Sequence, residues 1–103
     1  MQPEKKKSKI IQIIKFKTEL NEEEAMRIAK EREPQFQAIP GLLQKYYVKP
    51  EPPFHFAGIY VWDSIESLNS YRASDLAASI PQAYKLIGPP EIEVLDIMFQ
   101  LRA

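Results

Sequence analysis

Cysteine is absent from the 103-residue chain. Disulfides, thiolate metal sites, iron–sulfur clusters and cysteine nucleophiles are therefore excluded, and a reducing compartment suits the composition. A single histidine, His55, excludes a metal centre built on several histidines. The three glycines, Gly41, Gly58 and Gly88, stand too far apart to form a phosphate-cradling loop. No nucleophile-elbow pattern surrounds any serine. Formal net charge is zero but unevenly spread, and a slightly acidic body argues against a nucleic-acid surface, which needs a basic face. Four lysines against one glutamate make the first nine residues net +3 and leave the remainder at −3. Residues 1–9 read as a flexible, solvated basic tail, and residues 10–103 as a single domain. Long hydrophobic runs are lacking as well. The stretch Ile10 to Ile14 is broken by Gln12, ends at Lys15 and is followed by no small-residue cleavage site. It falls far short of the ~20 residues needed to span a bilayer. The expectation is a cytoplasmic protein with no membrane partner.

Patterning supplies the rest. Lys9 to Thr18 is rich in β-branched residues and reads as a strand with apolar residues on both parities at its start. Asn21 with Glu24 forms a capping-box pattern, and Ala25, Ile28 and Ala29 give the helix it opens an inward stripe. Pro34 predicts a kink or stop near Glu33, after which Phe36 and Ile39 pack back on the core. Leu42 to Val48 and His55 to Trp62 read as strands, separated by the extended segment containing Pro50, Pro52 and Pro53. Asp63, with Glu66 three residues on, is the expected cap of the next helix. Asp75 to Tyr84 reads as a further short helical piece interrupted by Pro81, and Glu91 to Leu101 as a long final strand. The order βαββαβ predicts an α+β, ferredoxin-like fold, with a four-stranded antiparallel sheet and both helices on one face. Because each strand is apolar on both parities, the open sheet face is expected to bury itself against a second copy, giving a homodimer.

Candidate functional residues concentrate between Gly58 and Tyr84. Alternation puts Phe56, Gly58, Tyr60 and Trp62 on one strand face, which suits either core packing or a flat-walled pocket for a planar ligand. Gly58 leaves space among its aromatic neighbours. Ile65, Leu68, Asn69 and Arg72 share one helical face by their spacing. An inward Arg72 has to pair, with Asp75 or Asp96, or reach a ligand carboxylate or phenolate. His55 carries the one side chain whose ordinary pKa lies near neutrality.

The pattern GIYVWDSIESLNSY followed by SDLAASIPQAY resembles the antibiotic-biosynthesis monooxygenase superfamily of dimeric α+β barrels, nearest to its YdhR-like members. The resemblance spans roughly Ile10 to Leu101. It implies a homodimer with a pocket in each subunit, in which a phenolic substrate is oxidised by O2 without metal, flavin or haem. It assigns Trp62 as ring wall, Asn69 and Arg72 as anion partners, Tyr60 or Tyr71 as hydrogen donors and His55 as base. Catalysis would rest on orienting the ring, excluding water and stabilising the anion. The haem-degrading branch shares the register of Tyr71 and Ser74-Asp75, but its ligating histidine falls on Pro81, which argues against haem chemistry. The rival reading is a non-catalytic dimer that binds a small apolar molecule or acts as a scaffold.

Overall fold

The computed structural model describes residues 9–102, so the expected basic tail lies, Lys9 apart, outside the described residues. The elements are β1 (Ile10–Lys17), α1 (Glu22–Gln37), β2 (Leu42–Val48), β3 (His55–Trp62), α2 (Ile65–Arg72), α3 (Asp75–Ala78), α4 (Ile80–Ala83) and β4 (Glu91–Asp96). They form one four-stranded antiparallel sheet in the order β2-β3-β1-β4, the expected ferredoxin-like arrangement.

Register decides which residues share the helix-side face. Gln12 pairs with Tyr60 and Ile14 with Gly58, while across β2 Lys45 pairs with Tyr60 and Tyr47 with Gly58. The core therefore gathers Ile10, Ile14, Tyr60 and Trp62 from the sheet beneath Phe36 of α1, Leu68 and Tyr71 of α2, and Ile80 of α4. Trp62 is completely buried, and its indole Nε1 donates to Gln12 Oε1 at 3.0 Å, so each satisfies the other. The opposite face carries Ile11, Ile13, Ile59 and Val61 in its centre, with the exposed apolar side chains of Tyr46, Val48 and Leu95 around them.

Three local expectations are corrected. Of the kink or stop expected near Glu33, the stop does not occur: α1 runs through Pro34 to Gln37. Proline removes one backbone donor, yet burial of Phe36 and the bond from Ala38 N–H to the Pro34 carbonyl at 3.2 Å hold the last turn in place. The cap of α2 is Ser64 rather than Asp63. Its hydroxyl accepts from Ser67 N–H, while Asp63 accepts from the Ser64 and Ser67 hydroxyls at 2.9 and 2.6 Å. Finally, β4 ends at Asp96 rather than Leu101, because Asp96 already faces Ile10, the first residue of its partner strand. One further bond, Ile97 N–H to the Lys9 carbonyl at 3.0 Å, closes the ladder. Beyond it Met98, Phe99 and Leu101 are at least 80% exposed.

The turn into β2 requires glycine. Gly41 has φ +84°, and a Cβ there would stand 2.1 Å from the Ser67 hydroxyl oxygen. This close approach locks the start of β2 to the first turn of α2.

Candidate functional site

Between the sheet and the helices lies a cavity of about 170 Å³. Its floor is Ile14 and Phe16 of β1 with Phe56, Gly58 and Tyr60 of β3. Ala25, Met26 and Ala29 of α1 form one wall, and Ile80 and Tyr84 form another. A glycine on the floor matters here. A Cβ at Gly58 would lie 2.9 Å from the Tyr60 ring and 3.3 Å from Lys45 Cε, closing space between them. The volume is near that of engineered apolar cavities of ~150 Å³ that hold a benzene molecule. One ring fits inside, with any further ring directed towards the mouth.

Tyr60 is the cavity-facing member of an aromatic cluster. Its ring is parallel to Trp62 at 6.1 Å, Tyr71 lies 5.6 Å away, and its hydroxyl approaches the Tyr71 hydroxyl at 3.4 Å. Burial, reinforced by Tyr71, holds the Tyr60 hydroxyl well above the ordinary tyrosine pKa. Burial likewise pushes Tyr84 up to about 12. Both phenols stay protonated near neutrality and can donate hydrogen bonds. Tyr84 is aimed by its neighbours. The buried Thr18 hydroxyl donates to the Tyr84 carbonyl, and Lys85 turns the chain with φ +48°.

Of the two lysines that line the cavity, Lys45 is the one drawn inward. Its Nζ stands 3.5 Å from the Phe36 ring centre and 4.5 Å from those of Tyr47 and Tyr60. Such contacts contribute about 0.5–2 kcal/mol each. Burial, and secondarily the Arg32 guanidinium, pushes Lys45 down to about 7. Arg32 itself donates through one terminal nitrogen to the Ser79 hydroxyl, while its Nε is buried without a hydrogen-bond partner among the described residues. At the mouth, Glu22 at the start of α1 pairs with Lys49 at the end of β2 at 2.7 Å. Both are half-exposed, so the pair contributes little stability and can open readily.

Of the residues selected from sequence, the structure brings Tyr60 to the cavity and sets Trp62 and Tyr71 directly behind it. Asn69 and Arg72 are corrected: both are exposed. The inward stripe of this helix is its cap Ser64 with Leu68 and Tyr71, spaced i, i+4 and i+7. The ion pairs joining described residues are Arg27–Glu31 and Lys49–Glu22, so Arg72 pairs with neither Asp75 nor Asp96. It sits in the last turn of α2, where its charge favours the helix dipole. His55 lies at the start of β3, half-buried and outside the cavity lining, with Nδ1–H donating to the Pro53 carbonyl at 2.9 Å. Sequence reading missed Lys45 and Arg32. The available signal was the spacing of Lys45 and Tyr47, which puts them on one parity of β2, with Lys49 continuing it just past the strand.

Among the described residues, no group of three or more histidine, cysteine, aspartate or glutamate side chains is placed to hold a metal ion. No helix among them is long and apolar enough to cross a membrane.

No protein-family model matches the chain, and no curated protein matches it by sequence. Solved structures do match. SnoaB, a cofactor-independent oxygenase from Streptomyces nogalater, superposes with a TM-score of 0.74 at 13% identity, covering 93% of this chain and 99% of that one. A protein of unknown function from Nitrosomonas europaea gives 0.73 at 17% identity, covering 96% and 99%. A monooxygenase from the ActVA-Orf6 gene of Streptomyces coelicolor, solved with the ligand nanaomycin D, gives 0.70 at 13% identity, covering 93% of each chain. At these identities the likeness is one of fold.

Proposed function

We propose, from a fold that is that of the antibiotic-biosynthesis monooxygenase structures, that this single-domain chain is a cofactor-independent monooxygenase acting on a small aromatic, quinol-like substrate. The observation that carries the reading is the apolar cavity floored by Gly58 and Tyr60, with a lysine amine set among aromatic rings in its wall. A planar ring would lie over Gly58. The protonated Tyr60 and Tyr84 hydroxyls and Lys45 would face its oxygen, and Trp62 and Tyr71 would hold the Tyr60 ring in place. O2 would then deliver one oxygen atom to the ring carbon, the other leaving as water with two substrate hydrogens. The protein's contribution is orientation, exclusion of water and stabilisation of the anion. In this reading Lys45 takes the anion-partner role that the resemblance gave to Asn69 and Arg72, and His55 stays outside the chemistry.

Oxygen consumption with naphthohydroquinones tests it. The chain is expected to accelerate uptake over the buffer rate. Gly58→Val, which fills the floor, is expected to reduce that acceleration at least about tenfold, the loss of roughly 1.4 kcal/mol of transition-state binding. Arg72→Ala should stay within about twofold. Saturable quinol binding without oxygen uptake would instead support the non-catalytic binding protein.

The reading includes a homodimer through the open sheet face. Its support is the row of apolar side chains there, together with the exposed Met98, Phe99 and Leu101 that follow β4. A stable interface buries about 1,200–2,000 Å² in total. Light scattering is expected to give twice the 12.0 kDa of one chain. A 12.0 kDa particle at micromolar concentration would overturn the dimer.

A further inference from the structure

The amine of Lys45 occupies an unusual position for a lysine. It is drawn into the protein rather than extended to water, with Phe36, Tyr47 and Tyr60 around it and no carboxylate within ion-pair distance among the described residues. It borders the cavity on the same face as Gly58 and Tyr60. Cations placed over rings serve in many proteins as structural contacts, but here the charged side chain that acts on Lys45 is another cation, Arg32. A buried amine that borders an apolar cavity, with a guanidinium acting on it, favours a guest that can carry negative charge. The groups turned towards the cluster are Arg32 and Glu33 from α1 and Tyr47 from β2. Tyr60, Tyr71 and Tyr84 complete it, while Glu22 is engaged by Lys49.

Resting on the reading of the cavity as a site for phenols, we propose that Lys45 Nζ is the proton acceptor of this site, taking the hydroxyl proton of the bound phenol and holding the phenolate that results. The O–H bond of the ligand breaks, its electron pair stays on the ligand oxygen, and an N–H bond forms at Nζ. No electron leaves the pair. The product is an ammonium–phenolate contact in a water-poor site, where a charged hydrogen bond is stronger than in solution. The neighbouring tyrosines cannot replace it, since burial keeps their hydroxyls protonated. Arg32 cannot either, because a guanidinium does not give up its proton in proteins. Its charge does favour the phenolate once formed. His55, the base that the resemblance assigns, lies outside the cavity lining, whereas Lys45 borders it.

The test uses naphthol, a weak acid whose anion has its own absorbance and fluorescence, titrated into the protein at about pH 8, where free naphthol and Lys45 are both mainly neutral. Wild-type protein is expected to bind it as naphtholate. Calorimetry in buffers of different ionisation enthalpy should then show no proton released to the buffer, because the proton moves within the complex. Lys45→Met is expected to bind naphthol with at least about tenfold less naphtholate, a shift of one pKa unit or more. Lys45→Arg, a permanent cation, should retain naphtholate but release one proton to the buffer. Proton release by the wild type would show Lys45 to be a fixed charge and overturn the proposal, as would full naphtholate in Lys45→Met. Should Lys45→Met fail to fold, the proton counts of wild type and Lys45→Arg decide alone. Failure of the wild type to bind naphthol at all would reject the phenol-site reading itself, a result distinct from binding without proton transfer.

Discussion

Trp62→Ala is expected to lower the free energy of unfolding by about 3–5 kcal/mol from the lost packing alone. The side chain is entirely buried, stacks on Tyr60 and contacts Tyr71 at 5.3 Å. The substitution also strands Gln12 Oε1, whose bond is to the indole nitrogen, adding about 1–3 kcal/mol for a buried acceptor without a donor. Against a total of about 5–15 kcal/mol for a domain of this size, most of the stability is at stake. Urea unfolding followed by circular dichroism gives the value. Trp62→Phe keeps a ring but still orphans Gln12, so combining it with Gln12→Leu should recover about 1 kcal/mol or more relative to Trp62→Phe alone. A Trp62→Ala variant within 1 kcal/mol of wild type, roughly fivefold in the folding constant, would show that the cluster repacks.

The second large effect is on the pH dependence of stability, and its sign follows from Lys45. The native pKa is pushed down to about 7 from the ordinary 10.5. Between those values the unfolded chain binds a proton at Lys45 that the native chain does not, so stability rises with pH across that window. Below about 7 both states carry the proton, and the full penalty of burying the charge applies. The tyrosines act in the opposite sense. Tyr84, pushed up to about 12, and Tyr60, raised further by burial, lose stability as the pH passes the ordinary 10.0, where the unfolded chain ionises first. The stability maximum is therefore expected at pH 9–10 rather than the usual range of about 5–8. Lys45→Met should be more stable than wild type at about pH 6, by of order 2 kcal/mol after the lost ring contacts are offset, with the gain shrinking towards pH 10. Urea midpoints measured across the series decide it. A flat wild-type profile between pH 7 and 10 would refute the buried amine.

The penalty that Lys45 places on the fold has a parallel in the way the site could be read beforehand. The strands were legible because alternation and β-branched composition fix them locally, and β2 and β3 have the bounds expected. The floor of the cavity was legible too, since Phe56, Gly58 and Tyr60 follow the period of two along a single strand. Arg72 and Asn69 were misplaced because two stripes compete on this helix: spacing from Ile65 selects Leu68, Asn69 and Arg72, but the face that packs is that of Leu68 and Tyr71, and Ile65 stays exposed. Lys45 was hidden for a different reason. Nothing local says which face of β2 meets the helices, and only the pairing of Lys45 with Tyr60 and of Tyr47 with Gly58 decides it. The run of α1 past Pro34 has the same origin, a tertiary contact made by Phe36.

The sheet order has a consequence for how the chain reaches this state. The strand β1, made first, sits in the interior of the sheet, with Ile10 facing both Trp62 and Asp96. Neither neighbour exists when β1 leaves the ribosome, so its apolar residues on both faces wait until β3 and β4 have been synthesised. Pairings this distant in sequence slow folding relative to helical bundles, whose contacts are local. During that interval Ile10 to Ile14 is an unpaired β-forming segment, the kind that chaperones shield and that associates between nascent chains. The central strand that places Gln12 under Trp62 is thus also the segment most exposed to misassembly during synthesis.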